Sequence, residues 1–435
     1  MIGRLQEVLK TSIFKLTIKY TNNELVKVSS KNLIQVLIKL LLGFLNIKVI
    51  SVMLGSSGMA VVSQFFNVIQ FFSNLANGGI IHGVTKLTAQ YDYSIKRVKL
   101  IIGNSFILTI VFSVIISIFL FCFAETIAVN FLYDHQFTGI VRGAGFLAFS
   151  LAMNSILLAF LNGLQQNRKF ILLNSYSAII AALVMIPFVY FGGIKGAFFA
   201  QYISSFIILG IGWFMSRKQI PRIKELVYII GISKRLLLFG LMILIASSLK
   251  PLTKIVARNI IVNLCSIHEA GWWDGINKIS LTFHSVITSA LALYFLPRIS
   301  KLSKFEIISK EIRNSMALVV PLVLVLSILL VVFKDHIITV IFTEQFRGMK
   351  DLFLFQFIGD VIRVVNWFLI MTVILKEKVK SYIILELLMA IVAPLNVYFF
   401  VKEIGIVGVS YAYALSALIY FLGTLVVYLR MVNDK

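Results

Sequence analysis

Acidic side chains are scarce in this chain. Its 435 residues include 18 Asp and Glu against 41 Lys and Arg, and charged residues of both signs make up only 14%. A soluble domain is nearer a quarter charged and half apolar; here 59% of residues are hydrophobic and the mean hydropathy is +0.96. Such a composition excludes an ordinary water-soluble domain. Cysteine is nearly missing too: Cys122 and Cys265 stand in unrelated contexts, which excludes a disulfide framework. The two either pair on an oxidising face or remain plain thiols. The sequence has no His or Cys cluster with zinc spacing, no glycine-rich phosphate loop and no G-x-S-x-G elbow. It gives no grounds to expect a cofactor.

What fills the chain instead is long apolar runs. LIIGNSFILTIVFSVIISIFLFCF (100–123) exceeds the roughly 20 apolar residues that cross a bilayer as a helix. Such runs are also too long and unbroken for the alternating strands of a membrane barrel. The expected fold is an all-α polytopic membrane protein of about twelve helices, near 33–54, 59–81, 100–123, 140–161, 171–191, 197–215, 236–262, 274–297, 314–333, 351–375, 382–401 and 408–429. Residues 1–32 carry six Lys or Arg and reach no clean apolar core before Leu33. They read as a basic surface extension rather than a cleavable signal peptide. Residues 33–215 form a first lobe, 216–235 a linker, 236–429 a second lobe and 430–435 a tail.

The net charge of +23 is unevenly placed. With both termini on one side, that side holds 28 of the basic residues, the opposite loops hold five, and eight fall inside spans. By the positive-inside rule both termini are cytoplasmic. The basic loops follow this pattern with no aromatic platform, so nucleic acid is not the expected partner; membrane lipid is.

The chain also repeats itself. QFTG (136–139) returns as QFRG (345–348), GGIKGAFFAQYISS (192–205) as IGIVGVSYAYALSA (404–417), and VTKL (84–87) loosely as ISKL (299–302). The second match aligns Gly193 with Gly405, Gly196 with Gly408, Ala200 with Ala412 and Ser204 with Ser416. The offsets of 209, 212 and 215 residues are each close to half the chain. Two parallel six-helix pseudo-repeats follow, the two-lobed plan that transporters use to place a site between rocking halves.

Ionisable groups inside spans are costly and normally face a bundle interior or a wet cavity. Here they are Lys39 and Lys48 in the first span, Arg142 in the fourth, Lys250, Lys254 and Arg258 in the seventh, Lys278 in the eighth and Arg363 in the tenth. The acids that face them are only Asp274, Asp360 and Glu386. Eight cations against three anions invite an anionic ligand. Other readings stand for several of these residues. Lys39 and Arg142 lie where a side chain can snorkel to an interface. Asp360 and Arg363 are three apart and can pair within their helix. His284 reads as a packed histidine, and Glu386 as either a structural partner or a proton carrier. The ladder at 250, 254 and 258 lies on one helix face and repels itself; Arg and Lys there suit phosphate oxygens. Pro251 in the same helix favours a bend.

Taken with IHGVTKLTAQY (81–91), three further stretches complete a familiar pattern: MLGSSGMA (53–60), YFLPRISKL (294–302) and MKDLFLFQFIGDVIR (349–363). In this order they resemble the polysaccharide flippases of the O-antigen and enterobacterial common antigen type. These belong to the multidrug/oligosaccharidyl-lipid/polysaccharide exporter superfamily. The resemblance covers all but the first 25 to 30 residues. It implies a V-shaped alternating-access flippase of the bacterial inner membrane, acting in lipopolysaccharide or surface-polysaccharide biosynthesis. Its substrate would be an undecaprenyl-diphosphate-linked glycan moved to the periplasmic leaflet, upstream of a glycan polymerase or ligase. Within that family, basic residues occur at positions like Lys39, Lys48, Arg142 and Arg258, with an acid and a base like Asp360 and Arg363. Lys250, Lys254, Asp274 and Lys278 have no such counterpart and read as this chain's own. With no nucleotide site, a proton or cation gradient is the expected drive, with Asp274, Asp360 and Glu386 as candidate carriers. A drug exporter of the same superfamily would carry an acidic pocket instead. A membrane-embedded polymerase or ligase would need a large outer loop.

Overall fold

The computed structural model describes residues 24–220, 227–302, 305–376 and 378–433. The described residues are helical throughout, with short 3₁₀ turns and no strand. A chain in hydrocarbon must satisfy its backbone polar groups internally, and a helix does so within one segment. Among the described residues thirteen α-helices follow in order. In the first half they are α1 (Glu24–Ala76), α2 (Ile81–Gln90), α3 (Ile95–Cys122), α4 (Ala124–Leu132), α5 (Thr138–Gly163) and α6 (Asn167–Ser216). In the second half they are α7 (Ile230–Leu264), α8 (Ile267–Lys301), α9 (Phe305–Val332), α10 (Lys334–Ile341), α11 (Phe353–Leu375), α12 (Val379–Ile404) and α13 (Gly408–Asn433). Among the described residues, seven stretches are long and apolar enough to cross a membrane by length and composition. The lipid-facing surface is correspondingly apolar: Leu318, Leu322, Val325, Ile328 and Val332 of α9 are all exposed.

Adjacent spans are joined at glycines. α1 breaks at Gly55 (φ 67°) and α6 at Gly193 (φ 55°), while Gly405 (φ 65°) separates α12 from α13. Gly193 and Gly405 are the pair that the repeat aligns. Both occupy the left-handed region that side chains disfavour. The next aligned pair repeats the contact as well. A side chain at Gly196 would strike the Phe188 carbonyl, and one at Gly408 the Phe400 carbonyl. The short helices α4 and α10 occupy equivalent places, each leading into a 3₁₀ turn: His135–Phe137, where QFTG begins, and Glu344–Leu352, which carries QFRG. The sequence reading places α2 in a connection; as a helix it has one apolar face, defined by the buried Gly83, Val84, Leu87 and Thr88.

Among the described residues, three hydrophobic clusters divide the molecule. The largest joins both halves at the end away from the termini, with Phe65, Phe137 and Phe198 in the same cluster as Ile261, Trp273 and Phe346. At the end carrying the termini the cores are separate, one around Ile102 and Phe160 and the other around Phe295 and Phe368. Leu236 of α7 belongs to the former. The start of α7 therefore packs on the first half, where Asn104 of α3 accepts from the Ile229 N–H at 2.7 Å and donates to the Val227 carbonyl at 3.0 Å. Midway along α7, Pro251 lacks the N–H that would bond the Ser247 carbonyl. Asn74 of α1 donates to that carbonyl at 2.9 Å instead.

Candidate functional site

The ladder on α7 divides by depth. Its last rung, Arg258, has a side chain 1% exposed and forms a two-pronged pair with Asp274 of α8, with Nε to Oδ2 at 3.0 Å and Nη2 to Oδ1. Its remaining nitrogen, Nη1, donates to Gln64 of α1, and the guanidinium lies 5.4 Å from the Trp273 ring centre. The next residue extends the seam. Asn259 Oδ1 accepts from Gln64 Nε2 at 3.0 Å and from the Tyr133 hydroxyl at 2.6 Å, and Asn259 Nδ2 donates to the Asn130 carbonyl at 3.2 Å. A buried charge is stable only when paired and hydrogen-bonded, and Arg258 is both. It fastens the two halves together at the closed end.

Lys250 has the opposite setting. Its side chain is 65% exposed although it lies near the middle of α7, and its Nζ is 3.9 Å from Glu386 Oε1 on α12. Glu386 in turn accepts from the Tyr420 hydroxyl of α13 at 2.9 Å. Lys254 is half-buried between these extremes and feels the charges of Arg258, Asp274, Arg363 and Lys250. Lys278 of α8 feels Asp274, Arg258 and Lys254. Among the described residues neither Lys254 nor Lys278 has a carboxylate at ion-pair distance.

The acid and base on α11 do not bond each other directly. Arg363 Nη1 donates to the Tyr413 hydroxyl at 2.7 Å, and that hydroxyl donates to Asp360 Oδ1 at 2.6 Å. Ser280 of α8 donates to the same oxygen at 2.8 Å, and Gln356 Nε2 donates to Ser280 Oγ at 3.1 Å. His284 is half-buried within electrostatic range of Arg363 and Lys250.

The structure thus gathers Lys250, Lys254, Arg258, Asp274, Lys278, Asp360, Arg363 and Glu386 across the helices of the second half. The first-half candidates stand apart from them. Lys48 donates to the carbonyls of Val340 at 2.7 Å and Phe342 at 3.1 Å, closing the C-terminus of α10, where carbonyls lack helical partners and favour a cation. Arg142 is exposed and lies 5.9 Å from the exposed Phe121 ring centre. The Lys39 side chain, and most of the basic extension, fall outside the described residues. Reading charge alone missed Gln64, Asn259, Tyr133, Ser280, Gln356, Tyr413 and Tyr420. The available signal was an amide within an apolar run, as in AVVSQFFNVIQFF (60–72).

An all-helical, internally repeated membrane protein with charge gathered inside its spans defines a transporter. The family described as polysaccharide biosynthesis protein matches residues 25–303, more than half of the chain. The chain belongs to that family, and the resemblance to polysaccharide flippases drawn from its motifs holds. The lipid III flippase of Escherichia coli (strain K12) is 26% identical over 404 residues, 91% of this chain and 96% of the relative. Among solved structures, an inward-facing multidrug resistance MATE family transporter of the MOP superfamily aligns with a TM-score of 0.74 at 14% identity. That alignment covers 91% of this chain and 96% of the other. The MATE multidrug transporter DinF-BH aligns with a TM-score of 0.64 at 19% identity, covering 93% of this chain and 95% of the other. The relatives are transporters rather than enzymes, and so is this chain.

Proposed function

We propose that the chain moves an undecaprenyl-diphosphate-linked glycan, an O-antigen unit or a related surface-polysaccharide unit, between leaflets of the bacterial inner membrane. The observation that carries this reading is Lys254 and Lys278. They lie inside spans without a carboxylate at ion-pair distance among the described residues, flanked by Lys250 and Arg363. A diphosphate headgroup supplies the anion they lack, and the polyprenyl tail stays in lipid. The flippase named among the relatives supports a lipid-linked glycan. A cation-coupled drug exporter is disfavoured because the gathered charge is basic.

The basic loops support a cytoplasmic position for both termini. In this arrangement the outer end is sealed by the Gln64, Tyr133, Arg258 and Asn259 seam, and the headgroup enters from the cytoplasmic leaflet. Alternating access then requires that seam to part while the separate cores at the other end come together. A proton or cation gradient would bias the exchange, with Asp274, Asp360 and Glu386 as candidate carriers, and a glycan polymerase or ligase would take the product.

The test compares binding of an undecaprenyl-diphosphate glycan with that of a neutral polyprenyl glycoside in matched detergent. The proteins are the wild type and a Lys250→Gln/Lys254→Gln/Lys278→Gln variant, with Arg258 left intact. Diphosphate-selective binding, lost in a variant that keeps its melting temperature, is the expected outcome. Equal binding of both ligands by both proteins would assign the lysines to lipid contacts and favour a small-molecule exporter.

A further inference from the structure

The two halves differ at one helix pair that the repeat makes equivalent. α3 and α9 are each 28 residues long with both ends 210 residues apart, so Ser117 of α3 corresponds to Ser327 of α9. Gly145 of α5 and Leu354 of α11 each stand nine residues after the glutamine of QFTG or QFRG. In the first half Gly145 lies so near Ser117 that a methyl group there would overlap the serine backbone, and the Ser117 hydroxyl donates to the Ser113 carbonyl at 2.7 Å. The glycine lets α3 and α5 meet flush. In the second half the leucine holds α9 and α11 apart. Between them is a groove of about 360 Å³, walled by Ile328 and Val331 on one side and by Leu354 and Val361 on the other. Ser327 is its one polar lining residue; it is 5% exposed, and its hydroxyl is buried without a partner.

The groove opens toward lipid, because Ile328, Leu354 and Ile358 in its walls are exposed. It follows the last turns of α9 and ends at Val332, the last residue of that helix. Lys334 and Asp335 come directly after it, and Lys350 and Asp351 stand just ahead of Leu354. None of the four joins an ion pair among the described residues. Each lip therefore offers one cation and one carboxylate. That mixture suits a zwitterionic headgroup, with phosphate on a lysine and a primary ammonium on an aspartate. The Ser327 hydroxyl lies about 10 Å below Lys334 along the helix axis. It has a hydrogen to donate, and the ester carbonyl of an acyl chain accepts it. A polyprenyl phosphate offers neither an ester carbonyl nor an ammonium.

We propose that the groove between α9 and α11 is a binding site for one diacyl phospholipid whose headgroup pairs a phosphate with a primary ammonium. One acyl chain lies between the helices and takes the place of the contact that Gly145 makes in the first half. α11 turns Asp360 toward Ser280 and Tyr413 on its other side, so the lipid braces the helix that carries the acid and base of the candidate site. The site stands whether or not the chain moves a glycan.

Native mass spectrometry of the full chain, delipidated in detergent, reads the selectivity. The probes are phosphatidylethanolamine, phosphatidylcholine, phosphatidylglycerol and undecaprenyl phosphate. Phosphatidylethanolamine should add as one copy with the highest affinity, and the same lipid with a diazirine on its acyl chain should label residues 324–332 and 354–362. Ser327→Ala should weaken its binding about fivefold, the usual worth of one hydrogen bond. Asp335→Asn/Asp351→Asn should erase the preference over phosphatidylcholine, whose quaternary ammonium donates no hydrogen bond. Leu354→Gly, which installs the residue of the first half, should abolish the labelling. Should that variant not fold, Ser327→Trp fills the groove from the other wall and should give the same loss. Equal affinity for all four lipids, or labelling spread evenly over α3 and α9, would mean ordinary surrounding lipid and overturns the site. A preference for undecaprenyl phosphate overturns the phospholipid and gives the groove to a polyprenyl chain.

Discussion

Arg258 shows how burial decides the role of a cation that the sequence alone presents as one of three equals. Its spacing from Lys250 and Lys254 is visible in the primary structure; the side chains around it are not. Asp274 lies 16 residues away on another helix and Gln64 lies 194 away, so no local pattern announces either contact. Breaking a buried pair from one side leaves an unsatisfied charge and costs about 3–5 kcal/mol. Asp274→Ala should therefore lower the melting temperature in detergent strongly, whereas Arg258→Met/Asp274→Leu should recover most of the loss. Equal destabilisation by the single and double variants would show that the ion pair is not the source. Lys250→Gln, at an exposed position, should leave thermal stability within about 0.5 kcal/mol of wild type.

At the scale of elements, the repeat predicts paired effects. Gly196→Ala and Gly408→Ala each push a methyl group into a backbone carbonyl, and such overpacking costs about 1–3 kcal/mol. Both should reduce thermal stability by similar amounts. Gly210→Ala, where a methyl group meets open space on an exposed helix face, should be neutral or slightly stabilising. Unequal losses at the two paired sites would mean that the aligned turns do not bear equivalent loads. Most of the helices were legible because apolar runs of this length have no alternative in lipid, and the turn glycines were legible through the repeat. α2, α4 and α10 were not. Each spans ten residues or fewer, and such a segment reads as loop until its partly apolar face finds a wall to cover.

For the whole molecule, the sealed end makes the strongest prediction. In a background with Cys122→Ser and Cys265→Ser, a Gln64→Cys/Asn259→Cys pair should be bridged by a short, reducible bis-thiol cross-linker, because the native side chains meet tip to tip across the halves. Transport by the cross-linked protein should stop and should return on reduction; continued transport would show that the halves need not part there. The asymmetry between the two ends was not legible in the sequence. It depends on which buried surfaces are shared, and composition is the same in either arrangement. One contact extends this further. Pro251 frees the Ser247 carbonyl of α7, yet the bond is completed by Asn74 on the opposite half. The weakest point of α7 is thus braced by a strut anchored elsewhere, and α7 cannot flex there without tugging on α1. A joint supported in this way behaves as a lever arm, in which displacement on one side is handed across rather than dissipated, so the halves are geared to each other at mid-membrane as well as latched at the rim.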